Sequence, residues 1–167
     1  YKDPIDMDKL LSFINLIPSD ILVMTFPVAQ HFHKLSKSTT DWDMFEDCVW
    51  VKNHFAFNMR KRFQQQHESI LIFRRKKYKE IGVWNVENNT STVFNHDKPS
   101  KNIDHPTIKP LNLYLEFVNI FSNKMDMVYE PFCGSGTTLI ACEKTGRKCY
   151  GMEIDTHYCD VIVKRWE

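Results

Sequence analysis

The strongest chemical signal in this 167-residue chain is a pair of glycines followed at a distance by a carboxylate. The segment Glu130-Pro131-Phe132-Cys133-Gly134-Ser135-Gly136-Thr137-Thr138-Leu139 joins a short apolar stretch to a helix-forming one, and Glu153 follows Gly134 by 19 residues. Glycines at a strand-to-helix turn remove Cβ atoms, so a ligand can come close to the backbone. A helix starting near Thr137 aims its unpaired N–H groups at the same space. An acid about 20 residues beyond the glycines is where a βαβ unit delivers a carboxylate to the ribose hydroxyls of an adenosine. A dinucleotide fingerprint would require a third glycine where Leu139 stands, and a phosphate-binding P-loop would require a lysine after Gly136. Both phosphate cradles are incomplete. A cofactor that carries adenosine without phosphates, S-adenosylmethionine, is the better fit. The plainer alternative, a glycine turn beside a surface glutamate, would account for Gly-Ser-Gly alone but not for its company of Pro131, Thr137, Thr138 and Glu153.

Other residue types narrow the chemistry. The five cysteines, Cys48, Cys133, Cys142, Cys149 and Cys159, form no CxxC pair and no Cys/His zinc spacing, so no metal site is expected. An odd number of scattered cysteines suits a reducing cytoplasm. No Pro-Cys dipeptide occurs, which speaks against a cysteine nucleophile of the C5-cytosine type; Cys133 is expected to line the cofactor loop. Lysines and arginines number 22 against 21 acids, so net charge says little, but its distribution says more. From Lys52 to Lys79 there are nine basic residues and one acid, Glu68. Such a run is either a solvated face or a phosphate-contacting surface.

The elements that must position these groups follow from hydrophobic period. Met7, Leu10, Leu11, Ile14 and Ile17 have helical spacing, ended by Pro18. Asp20–Phe26 reads as a buried strand, Val28–Leu35 as a helix, and Phe45–Val51 and Ser69–Phe73 as further strands. Tyr78 to Pro110 is polar and aperiodic, an irregular stretch of the length that is functional or disordered in compact domains. Leu111–Phe121 is an amphipathic helix, and strand Met127–Glu130, helix Thr137–Thr145, strand Lys148–Met152 and helix Thr156–Trp166 complete a βαβ unit with a parallel pair. The expected fold class is α/β, in one domain over residues 1–167. No apolar run reaches membrane-spanning length.

These residues resemble a known family. Glu130–Thr138 is similar to motif I of amino-directed DNA methyltransferases, usually Asp-Pro-Phe-x-Gly-Ser-Gly-Thr-Thr; His105–Pro110 resembles motif X, and Gly151–Asp155 motif II. Trp50–Asn53 and Gln66–Phe73 are similar to motifs VII and VIII. Motif X before motif I is the circularly permuted order of the β class, and the pattern most resembles phage and prophage methylases, some fused to a ParB-like nuclease. The resemblance implies a Rossmann-like methyltransferase fold with a mostly parallel sheet, possessing all but its first strands. It also implies transfer of a methyl group from S-adenosylmethionine to an exocyclic amine of double-stranded DNA, adenine N6 in preference to cytosine N4, as in restriction-modification systems. A homodimer is compatible with it.

Carried over residue by residue, the resemblance places Glu130 near the methionine amino end, where the family's usual residue is Asp. Phe132, Cys133, Gly134, Ser135, Gly136 and Thr137 would line the cofactor, Glu153 would bind the ribose and Ile154 would border the adenine. His105, Thr107 and Lys109 would close the methionine end. Arg60, Lys61, Arg62, Arg74, Arg75 and Lys76 would contact DNA phosphates. A structural hydrogen bond is expected of the His67–Glu68 pair. The family's motif IV, Asp/Asn/Ser-Pro-Pro-aromatic, occurs nowhere in the chain. In the β-class order it belongs ahead of the first helix and would precede Tyr1, leaving two expectations: a fragment of an active enzyme, or a remnant that binds cofactor or DNA without catalysis.

Overall fold

The computed structural model describes residues 7–26, 41–53, 66–78, 84–87, 90–99 and 108–167. Its elements are α1 (Met7–Leu16), β1 (Ile21–Phe26), β2 (Trp42–Val51), β3 (His67–Arg75), β4 (Val93–Asn95), α2 (Leu111–Phe121), β5 (Met127–Glu130), α3 (Thr137–Thr145), β6 (Lys148–Gly151) and α4 (Thr156–Trp166). The helix expected over 28–35 lies outside the described residues. The chain forms two compact units, Tyr1–Trp50 with His67–Gly82, and Val51–Gln66 with Val83–Glu167.

In the first unit β3 lies between β1 and β2. The run Ile70–Phe73 is buried without alternation, as a central strand covered on both faces requires. β1 and β3 are antiparallel, with Ile21 opposite Arg74 and Phe26 opposite Ser69. β2 begins earlier than its apolar pattern suggests: Trp42 is buried, but Asp43, Glu46 and Asp47 interrupt the alternation that Cys48 and Trp50 later display.

Arg75, at the end of β3, braces this unit. Its Nε donates to the Ser19 carbonyl at 3.1 Å and its Nη2 to that of Asn15 at 3.2 Å and to that of Ile17. The guanidinium stacks 4.5 Å from the Trp42 ring centre and lies 3.8 Å from the Asp41 carboxylate. Carbonyls in the last turn of a helix and just beyond it lack intrahelical partners, and a planar five-donor cation satisfies several at once.

In the second unit β5 and β6 pair in parallel, Met127 opposite Lys148 and Glu130 opposite Gly151, as expected of the βαβ unit. α3 buries Ala141 and Cys142 against Val118 of α2, with Leu111, Tyr114, Leu115, Val128 and Cys149 closing around them. Gly146 ends α3 in the left-handed region, φ 71°, where its N–H caps the carbonyls of Cys142 and Glu143.

The described residues of the polar segment before α2 make specific contacts. It contributes β4, whose Phe94 meets Phe117 edge-on at 5.4 Å. Asn85 serves the end of α2, its backbone N–H donating to the Ile120 carbonyl at 2.8 Å and its side-chain amide to Asn119 and Ser122 carbonyls at 3.0 and 3.2 Å. Arg147 reaches the same end from the other side, with Nη2 2.7 Å from the Ser122 carbonyl. α2 has no basic residue in its last turn, so these imported donors do the capping. Replacing Asn85 by alanine should therefore lower unfolding free energy by about 1–3 kcal/mol in urea titration without changing the slope of the transition.

Candidate functional site: the glycine turn between β5 and α3

Parallel pairing brings the carboxyl ends of β5 and β6 side by side, so the two turns that leave them face one another. The first turn runs from Glu130 to Thr137. Gly134 and Gly136 both take positive φ, 51° and 79°, a conformation that side-chain-bearing residues resist. Gly136 caps α3, and its own N–H returns to the Cys133 carbonyl at 2.8 Å. The second turn runs from Gly151 to Asp155, where Asp155 caps α4 by accepting the His157 N–H at 2.9 Å.

One carboxylate ties the turns together. Glu153 Oε2 accepts the Gly134 N–H at 2.7 Å and Oε1 accepts the Asp155 N–H at 2.9 Å. The backbone adds a second tie, Cys133 N–H to the Met152 carbonyl at 2.9 Å. Beside it, Glu130 accepts from the Thr138 hydroxyl at 2.7 Å and from the Phe132 N–H at 3.0 Å.

Burial pushes the Glu130 carboxyl above its ordinary value, while the Thr138 and Phe132 hydrogen bonds pull it partway back. A carboxyl whose proton is held more tightly folded than unfolded contributes stability below its unfolded pKa and loses it as pH rises through the folded one. Burial, reinforced by the Glu130 charge, pushes the Cys133 thiol up to about 12. Cys133 is therefore a neutral lining group at physiological pH, not a nucleophile.

The structure brings Glu130, Phe132, Cys133, Gly134, Ser135, Gly136, Thr137, Glu153 and Ile154 to these two facing turns. Phe132 and Ile154 are 66% and 88% exposed at these turns and offer apolar surface beside them. Lys109 approaches through its backbone, its carbonyl accepting the Thr137 hydroxyl at 3.5 Å. His105 and Thr107 lie outside the described residues, as do Arg60, Lys61 and Arg62.

Of the basic residues expected on DNA, the described ones, Arg74, Arg75 and Lys76, belong to the first unit, and their contacts differ. Arg75, expected on phosphate, donates to the Asn15, Ile17 and Ser19 carbonyls at the end of α1 and stacks on Trp42. Arg74 lies over the Phe45 ring at 5.4 Å, and Lys76 is exposed. Among the described residues no group of three or more His, Cys, Asp or Glu side chains could hold a metal ion, and no helix is long and apolar enough to cross a membrane. Thr138 and Asp155, both inside the motifs, prove to support the site, whereas Ile162 and Arg165 support it without having been singled out by the sequence. The second threonine of the doublet was one signal, and the placement of Ile162 and Arg165 on one face of α4 was another.

Comparison with known proteins agrees with this geometry. A family model described as DNA methylase, for N6- and N4-directed enzymes, matches residues 21–164. The orphan methyltransferase M.BamHII of Bacillus amyloliquefaciens is 31% identical over 121 residues, 68% of this chain and 42% of the relative. The type II methyltransferase M.HinfI of Haemophilus influenzae is 31% identical over 143 residues, 75% of this chain and 40% of the relative. Among solved structures, the M1.HpyAVI–SAM complex superposes with a TM-score of 0.79 at 26% identity, covering 98% of this chain and 83% of that one. The cytosine-N4-specific PvuII DNA methyltransferase gives the same TM-score at 17% identity, covering 96% and 70%, and shows the shared fold. The chain belongs to the N6/N4 DNA methylase family, with the α/β Rossmann-like fold of those enzymes. It spans about half or less of the length of the curated relatives it matches, 42%, 50% and 30% for three of them.

A packing constraint in the turn is testable by itself. A Cβ on Gly151 would stand 2.3 Å from the Cys133 sulfur but 4.0 Å from its Cβ. Gly151→Ala should thus force Cys133 out of its rotamer and lower the melting temperature, whereas Gly151→Ala with Cys133→Ala should recover most of the loss. Additive melting shifts in the double variant would contradict the contact.

Proposed function

We propose that this chain is the cofactor-binding part of a DNA methyltransferase that uses S-adenosylmethionine to methylate an exocyclic amine. The observation that carries the reading is the state of Glu153. An ionised carboxylate offers roughly four acceptor positions. The Gly134 and Asp155 N–H groups occupy two and fix the plane, leaving two for the paired hydroxyls of a ribose. An adenosine seated there would lay its base against exposed Ile154, with Phe132 beside the turn.

The remaining parts fit the rest of the cofactor. The positive-φ glycines leave the turn without Cβ atoms to obstruct a ligand. Glu130, half-buried below the turn, is suited to the methionine ammonium once ionised, and a bound cation would draw its pKa down. His105, Thr107 and Lys109 would close the methionine end. S-adenosylmethionine supplies an electrophilic methyl group on a sulfonium. What this chain contributes is position: it holds the ribose, orients the adenosine and confines the sulfonium end near Glu130.

The DNA reading rests on family membership and on the basic run, of which Arg60, Lys61, Arg62, Arg74 and Lys76 remain the candidate phosphate contacts. We assign Arg75 to folding. Adenine N6 is our preferred target, supported by the resemblance to phage methylases. The permuted β-class order, the single domain over residues 1–167, a cytoplasmic setting and an optional homodimer belong to the same proposal; the family match, which runs across both compact units, supports the single domain. One observation favours a second reading, a chain that binds cofactor or DNA without transferring methyl groups: no Asp/Asn/Ser-Pro-Pro-aromatic tetrapeptide occurs in the sequence.

Calorimetry should detect S-adenosylmethionine binding that is lost in Glu153→Ala and weakened in Glu153→Gln, which can accept only through its one carbonyl oxygen. Unchanged affinity in Glu153→Ala would contradict the ribose assignment. Methyl transfer from labelled cofactor to DNA separates the two readings, and mass analysis of digested DNA identifies the base.

A further inference from the structure

The glycine turn is held from behind as well as from below. α4 runs from the Asp155 cap, whose N–H is already bonded to Glu153, and lays Ile162 and Arg165 along one face three residues apart. A Cβ on Gly136 would meet the Ile162 side chain at 3.0 Å, so that side chain is packed directly on the turn. One turn of helix later, Arg165 Nη1 donates to the Ser135 carbonyl, to the Ser135 hydroxyl at 2.9 Å and, at 3.4 Å, to the Thr137 hydroxyl. Ser135 and Thr137 are both buried, and Arg165 is half-buried where it meets them.

We propose that Arg165 is a positioning residue for the cofactor: it fixes the Ser135–Gly136 peptide in the one orientation that keeps the turn open to adenosine. The peptide is held from both sides. Its carbonyl points to the guanidinium, and its N–H points to the Cys133 carbonyl at 2.8 Å. Without the arginine, the buried Ser135 carbonyl loses its charged donor, and a rotated peptide that turns the carbonyl toward the ligand space becomes accessible. That orientation would set a negative dipole where a nucleoside must approach. Gly136, free to adopt either sign of φ, offers no resistance to the rotation. The brace extends further, because the Thr137 hydroxyl that accepts from Arg165 donates to the Lys109 carbonyl at 3.5 Å. One side chain on α4 thereby couples the glycine turn to the segment ahead of α2. Only the competent fraction of turns binds, so apparent affinity falls in proportion to that fraction.

This inference rests on the proposal that S-adenosylmethionine occupies the turn, and two readouts on the full chain keep the two apart. In Arg165→Ala, the dissociation constant for S-adenosylmethionine should rise by about tenfold or more, as a competent fraction of a tenth requires. Arg165→Lys, a point charge able to reach fewer of the three acceptors, should fall between the two and carries the test should the alanine variant not fold. Hydrogen exchange should accelerate selectively at the amides of Cys133, Gly134 and Gly136, with those pairing β5 to β6 unchanged. Unchanged affinity in both variants, or exchange that rises equally across the second unit, would overturn the positioning role. Selective exchange in a protein that binds no S-adenosylmethionine would uphold the brace while removing the cofactor assignment.

Discussion

The second unit depends on a carboxylate accepting two backbone N–H groups from two different turns. Parallel strands put the turns within reach, and the Met152 and Cys133 N–H groups carry backbone bonding one residue past the last pair, but strand pairing alone leaves the separation of Gly134 from Asp155 open. Glu153 fixes it by bonding to Gly134 and Asp155. Charge-assisted hydrogen bonds of this kind are among the stronger non-covalent ties a surface turn can make. The arrangement also explains why Gly134 and Gly136 stand where they do. Only a residue without a side-chain penalty holds positive φ readily at both points, which turns the Gly134 N–H toward Glu153 and the Gly136 N–H back to the Cys133 carbonyl.

Electrostatics divides labour between the two acids beside the turn. Glu153, served by two N–H donors, is a fixed acceptor. Glu130 is more deeply set, and burial raises its pKa against the opposing pull of Thr138 and Phe132. On the proposed reading one would receive the ribose hydroxyls and the other the methionine ammonium. That pairing suits a ligand with a ribose at one end and an ammonium at the other. Cys133 lies between them with its proton held tightly, adding volume without charge.

Much of this was visible in the residues. The βαβ unit was legible because its period switches from strand to helix within a few residues, and Gly134, Gly136 and Glu153 mark both turns. β4 was not, since three residues cannot express a period and its one buried side chain, Phe94, is held by Phe117 of a helix that follows later. The first half of β2 was obscured because Asp43 and Glu46 stand at half-buried positions while the apolar Met44 and Phe45 are exposed. Arg75 illustrates the harder case. In a basic run it is indistinguishable from its neighbours, and only the meeting of β3 with the end of α1 commits it to carbonyls and a tryptophan face. Arg165 was hidden for the same reason: its partners are made by tertiary structure, and a helix-terminal arginine ordinarily needs no partner beyond the helix dipole.

The central claim is that the two turns form a ready-made seat for an adenosine that carries no phosphate. A crystal structure of the chain soaked with S-adenosylmethionine tests it most directly. The account predicts both ribose hydroxyls within hydrogen-bond distance of Glu153, the adenine against Ile154, and the Gly134–Gly136 backbone essentially unmoved. Density for the compound elsewhere on the protein, or a bound ribose with Glu153 still facing only Gly134 and Asp155, would contradict it.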